Sequence, residues 1–317
     1  MKKRMLYSII FIVFCSFFIS CSKESGEIGE SKENKGVASK TSDFEENESI
    51  QNEDGTSEEN INQENYMRIE AVREENGITM LDVTAIEIDG AFVIDIVLPD
   101  NYDSSQKYPV VYITDGNWRR EDYADIKALS NEGSMLDVIL VGICYPDYFS
   151  VDEIRVRDLL NYPDNFLRFI VKGIIPYMNE NYSTNTDNNT LWGASYGGYF
   201  TLYSVLQSYD LTKDVFENYV FASPTFWCSS DNKTLFDYEK IFYENSKKLD
   251  VNIYMTVGGL EGEYEFLEPF AEFDEIFKSR NYEGLNYITK IYAGKDHYTV
   301  SKPTMLDGFQ LFLPSEK

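Results

Sequence analysis

The sequence predicts an α/β protein: a mostly parallel central sheet, entered through an antiparallel hairpin, with helices on both faces. Three observations lead there. Short apolar runs of strand length recur near 109–114, 137–143, 189–194, 217–222, 251–257 and 286–293, with helical stretches between them. That alternation builds parallel strands joined by crossover helices. Ahead of them, Ile78 to Pro99 reads as a hairpin turning at Asp89-Gly90. Finally, "LWGASYGGYF", residues 191–200, sets a serine among three glycines between a strand and a helix.

The chain opens with "MKKRMLYSIIFIVFCSFFISCS", a basic start and an apolar run too short and too early for a comfortable membrane span. Ser20-Cys21 resembles a lipobox, so cleavage before Cys21 and a lipid anchor on that cysteine are expected. An ordinary secretory signal or an N-terminal anchor helix are the alternatives, and all three put the body outside the cytoplasm. Residues 22–65 are rich in Glu, Ser, Asn, Gly and Lys, hold one aromatic and show no apolar period. They are expected to be a disordered acidic tether with a mean reach of about 35–40 Å. The remaining 252 residues, 66–317, suit one α/β domain, in which "NFLRFIVKGIIPYMNENY" is the clearest helix.

Gly193-Ala194-Ser195-Tyr196-Gly197 has the spacing G-x-S-x-G. In that motif a strand turns sharply into a helix and presents a serine at the apex. "NNTLWGA" supplies the strand, and Phe200, Leu202, Tyr203 and Leu206 supply the helical spacing. A serine hydroxyl needs a base, and the chain has a single histidine, His297. It falls in "IYAGKDHYTV", just beyond the strand "NYITKIYAG". A carboxylate should lie between the two in sequence, to orient the imidazole and stabilise its protonated form. "VNIYMTVGGLEGEYE" offers Glu261, the first choice, and Glu263, the reserve, in the loop after a strong strand. Two backbone N–H donors must meet the developing oxyanion. Tyr196 is expected to give one, and Gly116 or Asn117, after the strand in "YPVVYITDGNW", the other.

Taken in order, "YPVVYITDGN", "VGICYP" followed by "RVRDLL", "FLRFIVKGIIPYMNENY", "GASYGG", "FASPTFW" and "GKDHYTV" resemble a known group. This is the set of putative esterases within the α/β-hydrolase superfamily, and most closely the siderophore trilactone esterase branch. The likeness runs from about Ile78 to Phe312. It implies an ester hydrolase of α/β-hydrolase fold with Ser195 as nucleophile and His297 as base, and it suggests that Trp227 lines the substrate pocket. Members of the branch are reported to work with a Ser-His dyad, which leaves the part of Glu261 open. Two features depart from the family. Many relatives carry histidine before the serine where this chain has Ala194, and the segment between Arg157-Asp158 and Phe166 is shorter than usual. That segment helps to cover the substrate, so its shortening bears on substrate identity.

Charge narrows the partners. The chain carries a formal net charge of −26. With 13 acids and 4 bases in the tether and 3 bases in the leader, the domain keeps 41 acids against 21 bases, a net of −20. Nucleic acid requires a basic surface and is excluded as a ligand class. An anionic membrane would repel the domain, so attachment should rest on the lipid. Arg119, Arg120, Arg155 and Arg157 follow strands whose carboxyl ends should face the active-site crevice. Arg155 and Arg157 can form a local basic patch for an anionic substrate, or all four can be paired with neighbours such as Glu121, Asp122 and Asp158. Cys144 and Cys228 can bridge or stay free. With one histidine, no zinc constellation assembles and no cofactor is implied. Besides the esterase, two readings use the same site: a binding lipoprotein that recognises its ligand through Trp118, Trp227 and tyrosines, and an acyltransferase.

Overall fold

Among the described residues, nine strands form one sheet in the order β1-β2-β3-β5-β4-β6-β7-β8-β9. They are β1 (Met67–Glu75), β2 (Ile78–Ala85), β3 (Gly90–Val97), β4 (Tyr108–Thr114), β5 (Ile139–Cys144), β6 (Thr184–Ala194), β7 (Asn218–Ala222), β8 (Asn252–Gly258) and β9 (Asn286–Tyr292). β1, β2, β3 and β5 pair antiparallel in succession, and every pairing from β5 through β4 to β9 is parallel. The computed structural model describes residues 63–146, 151–207 and 209–315. The expected leader, Cys21 and the tether as far as residue 62 lie outside the described residues. Of the tether only Gln63–Asn65 is described, as one 3-10 turn.

The sheet is covered on both faces because its central strands are apolar on both, as parallel strands must be. Val110 and Tyr112 of β4 join a layer with Phe166, Phe200, Tyr238 and Phe273 from helices on one side. The alternate residues Val111 and Ile113 pack instead with Tyr123 and Ile126 of the helix Tyr123–Asn131 and with Met305 and Phe309 of the helix Ser301–Phe312. Each such side chain contributes about 1.5–3 kcal/mol of burial. The period of two along β4 therefore fixes which helices lie on which side.

Two elements differ from expectation. β1 adds a strand before the hairpin, although only Met67 of its residues is buried. It is held by backbone pairing to β2, and its apolar alternation, Met67, Ile69 and Ala71, is short and ends at Val72. The long helix runs from 163 to 181 but widens to a π-helix over Phe169–Ile174, where the Ile175 N–H reaches back to the Ile170 carbonyl. Pro176 has no N–H to donate, and its ring would strike the carbonyl four residues earlier; the wider turn absorbs both faults.

Arg157 does not join a basic patch. Its guanidinium lies against Gly90 at the start of β3, where an added Cβ would stand 2.6 Å from Nη2. It also gives two hydrogen bonds, 2.7 and 3.0 Å, to the fully buried Asp158 carboxylate. The pair ties the entry hairpin to the helical segment after β5. Burial nevertheless pushes the Asp158 carboxyl up to about 6.

A native pKa above the unfolded value of about 3.9 means that the folded state alone holds this proton between the two values. The contribution of Asp158 to stability therefore grows as pH falls from about 7 toward 4. Arg157→Met should cost on the order of 3 kcal/mol at pH 7.5, through an uncompensated buried charge, and the deficit should shrink below about pH 6 as Asp158 is neutralised. Urea unfolding of both proteins across that range measures it. A deficit independent of pH would show that Arg157 acts by packing on Gly90 alone.

Candidate active site

The central parallel strands end at one edge of the sheet, and their loops assemble the site. β6 ends at Ala194, Ser195 follows with φ 59, and the helix Tyr196–Gln207 begins at once. This left-handed conformation costs an L-residue roughly 1–2 kcal/mol. It is held by the Ser195 N–H, which donates to the Ala222 carbonyl at 3.0 Å, and by the Ser195 carbonyl, which accepts from Tyr199 N–H at 2.9 Å. The glycines permit close approach. A Cβ on Gly193 would lie 2.1 Å from the Gly197 carbonyl oxygen, and one on Gly197 would lie 2.5 Å from Thr114 Oγ1. Neither atom can move far, so both positions exclude any larger residue.

His297 stands in the loop between β9 and the helix Ser301–Phe312, with Nε2 3.0 Å from Ser195 Oγ and Nδ1 2.7 Å from Glu261 Oε2. The network sets the tautomer: Nδ1–H donates to the carboxylate, and Nε2 accepts from the hydroxyl. The Asp296 carboxylate holds the loop by accepting from the Thr299 hydroxyl and from the N–H groups of Tyr298 and Thr299. Those bonds keep its carboxyl below the usual range, the Thr299 hydroxyl most of all. The Phe266 ring packs on the imidazole with centroids 4.6 Å apart.

Glu261 is buried, while Glu263 is exposed at the start of the turn Glu263–Leu267. The second oxygen of Glu261, Oε1, accepts from Gly258 N–H at 2.7 Å and from the Ser223 hydroxyl at 2.5 Å. Leu260 N–H donates to the Lys295 carbonyl at 2.9 Å and joins the acid loop to the base loop. A buried carboxylate with its remaining lone pairs satisfied holds the imidazole in one orientation. Ser223 was not legible in the sequence as part of this array. It is an ordinary serine after β7, and only its left-handed φ of 48 turns its hydroxyl onto the acid.

Gly116–Trp118 forms a single 3-10 turn after β4. Among the described residues, the N–H groups of Gly116, Asn117 and Tyr196 make no backbone hydrogen bond, so all three remain available as oxyanion donors. The Asn117 side chain is already committed: its amide donates to the Tyr145 carbonyl at 2.7 Å and accepts from Tyr145 N–H at 2.6 Å. Only its main chain is left for the oxyanion.

The four arginines near the crevice are all paired, and Arg155 and Arg157 form no free patch. Arg119 pairs with Asp122, Arg120 with Asp95, Arg155 with Asp115 and Arg157 with Asp158. Two of these partners, Asp95 and Asp115, lie far away in sequence and were not anticipated. Cys144 and Cys228 are both free thiols. Among the described residues no group of His, Cys, Asp and Glu could hold a metal ion. Large apolar side chains stay exposed beside the segments that carry Tyr196, Phe266 and His297. Trp227, 53% exposed, meets Phe266 edge-on at 4.6 Å; Tyr298, 86% exposed, adjoins His297; Trp118, 48% exposed, rests on Arg155.

A family model described as "Putative esterase" matches residues 87–310. The fold is similar to three solved structures. The BES protein from Bacillus cereus shares 23% identity at a TM-score of 0.65, over 76% of this chain and 96% of that one. The siderophore hydrolase EstB from Aspergillus nidulans shares 21% at 0.63, over 77% and 96%. An IroE-like serine hydrolase from Shewanella oneidensis shares 22% at 0.63, over 74% and 80%. No curated protein sequence matches the chain.

Glu261→Gln should lower turnover of a p-nitrophenyl ester by on the order of 10²–10⁴, whereas Glu263→Gln should stay within about twofold, as exposed loop changes do. The opposite ranking would transfer the role to Glu263, and mild effects of both would mean that the serine and histidine act as a dyad. Ser223→Gly removes the hydroxyl but suits the left-handed backbone, and Ser223→Ala removes it and keeps the strain. Equal loss of turnover in the two would assign Ser223 to holding Glu261.

Proposed function

The chain belongs to the "Putative esterase" family, and on that premise we propose that it is a serine esterase of the cell exterior acting on aromatic carboxylic esters of the siderophore trilactone kind. That it is a carboxylic ester hydrolase follows from the family. The serine mechanism rests on one observation, the continuous relay Ser195 Oγ, His297 Nε2, His297 Nδ1 and Glu261 Oε2 with contacts of 3.0 and 2.7 Å.

In this reading His297 takes the proton of the Ser195 hydroxyl as the oxygen attacks the ester carbonyl. Glu261 stabilises the imidazolium without taking the proton itself. The negative charge on the carbonyl oxygen falls to the N–H of Tyr196 and to that of Gly116 or Asn117. His297 then protonates the leaving alkoxide, and an acyl group remains on Ser195. Water, deprotonated by the same imidazole, attacks that acyl carbon and releases the acid. No step calls for a cofactor.

The substrate class rests on the rim. Exposed apolar side chains gathered at one place mark a binding surface, and Trp118, Trp227 and Tyr298 offer ring faces and edges for an aromatic acyl group. The fold likeness to a siderophore hydrolase supports a catechol-type lactone. Charge favours its iron-free form: the four crevice arginines are neutralised by carboxylates, and a domain of net −20 repels a multiply anionic ferric complex. The proposed site outside the cytoplasm is supported by the basic and apolar start of the sequence and by the lipobox-like Ser20-Cys21, which would carry the lipid anchor. A binding protein without turnover is the weaker reading, because nothing about binding requires a strained serine against a paired histidine.

Ser195→Ala and His297→Ala should each lower hydrolysis by several orders of magnitude, with the double variant little worse, because the residues act as one unit. Independent, modest losses would sink the mechanism. An iron-free tricatecholate trilactone should be hydrolysed with higher kcat/KM than its ferric complex, and added salt should narrow the gap as repulsion is screened. If wild type cleaves neutral aryl esters and leaves both trilactone forms intact, the substrate is a different acylated molecule. Cys21→Ser should release the protein from the membrane fraction; retention would favour an anchor helix.

A further inference from the structure

Arg155 stands where a cation for the substrate would be useful, yet its side chain is nearly buried and held through Nε and Nη2 by Asp115. Nε and Nη2 donate to the two oxygens of the Asp115 carboxylate at 2.8 and 2.9 Å. Its guanidinium also lies 4.7 Å from the ring centroid of Trp118 and 5.1 Å from that of Tyr196. These contacts are not scattered. Asp115, in the left-handed conformation at φ 57, launches the Gly116–Trp118 turn, and Tyr196 is the residue after the nucleophile. One planar cation therefore touches both chain segments that carry the candidate oxyanion donors.

The chemistry of the side chain suits this task. A guanidinium fork fixes the plane of a carboxylate through two parallel bonds, and its flat face rests on rings, whereas an ammonium does neither. The Asp115 carboxylate is itself wedged against the elbow, with Oδ2 3.3 Å from where a Cβ on Gly197 would stand. We propose that Arg155 is a positioning residue for catalysis: with Asp115 it sets the distance between the turn after β4 and the Tyr196 N–H, and so the width of the oxyanion hole. It does not bind the substrate. The proposal rests on Ser195 being the nucleophile of an ester hydrolase.

The test uses the full chain and a neutral p-nitrophenyl ester, with Arg155→Lys, Arg155→Ala, Asp115→Ala and the double Arg155→Ala with Asp115→Ala. Displacing a donor should cost less than deleting one, so kcat should fall about 10–100-fold while KM stays within about twofold. Arg155→Lys should rescue little. The double variant should be no worse than either single, because the two side chains act as one unit. Binding of an aryl boronic acid, which becomes tetrahedral on Ser195, should weaken in step with kcat/KM, whereas binding of the unreactive acid product should not change. A variant that merely fails to fold is recognised by its thermal unfolding, and kcat is then taken per folded molecule at low temperature. The proposal is overturned if KM rises with kcat unchanged, if only an anionic ester suffers, or if kcat per folded molecule matches wild type. Ser195-independent hydrolysis by wild type would instead refute the reading of the site on which the proposal stands.

Discussion

Three central strands end in residues that are not glycine and yet sit in the left-handed conformation: Asp115 after β4, Ser195 after β6 and Ser223 after β7, at φ 57, 59 and 48. Such backbone persists only where its surroundings over-determine it. Here each is held by a neighbour that belongs to the site. Asp115 is clamped by Arg155, Ser195 N–H by the Ala222 carbonyl, and Ser223 by the Thr256 carbonyl through its N–H and by Glu261 through its hydroxyl. The parallel register aligns these strand ends side by side, with Ala194 opposite Ala222 and Ala222 opposite Thr256. Turn, nucleophile and acid support are thus successive consequences of one constraint: the chain must leave the sheet sharply at its carboxyl edge.

The electrostatics follow the same economy. Buried charges in this domain come in pairs with short contacts, as Asp95 with Arg120, Asp115 with Arg155, Asp158 with Arg157 and Glu239 with Arg280. Breaking a buried pair is costly, so the arginines are fixed by structure and unavailable to an incoming anion. The carboxylate beside His297 is treated differently. Glu261 has hydrogen-bond donors on one oxygen and the imidazole on the other, an arrangement that leaves its charge directed at a single partner. Around this buried carboxylate the rim is aromatic and open.

Most of the strands and the serine at a strand-to-helix turn were legible because they depend on short-range patterns. The apolar run of residues 109–114, the spacing around Ser195 and the single histidine after a strand are local facts, and the motif carries its own geometry. β1 was not read, because its alternation covers only Met67, Ile69 and Ala71 before a charged run and follows directly on a polar segment. The π-helix was not read either: Pro176 was visible, but whether a proline kinks, ends or widens a helix depends on what packs against it. Among the site residues, Glu261 and Glu263 were separable only as a preference. Each follows the same strand at a similar distance, and burial decides between them.

The sequence by itself determined the class of fold, the serine at a strand-to-helix turn, the single imidazole available to it and the strongly acidic balance of the domain. These are properties of composition, spacing and period, and folding cannot change them. Tertiary structure alone decided which carboxylate meets His297, that Ser223 supports it, and that Arg155 pairs with Asp115, 40 residues away. Such pairings depend on which strand ends become neighbours once the sheet is assembled in the order β5-β4-β6-β7-β8-β9. A charge or hydroxyl acquires its partner only through that adjacency, and no local pattern encodes a distance across four strands.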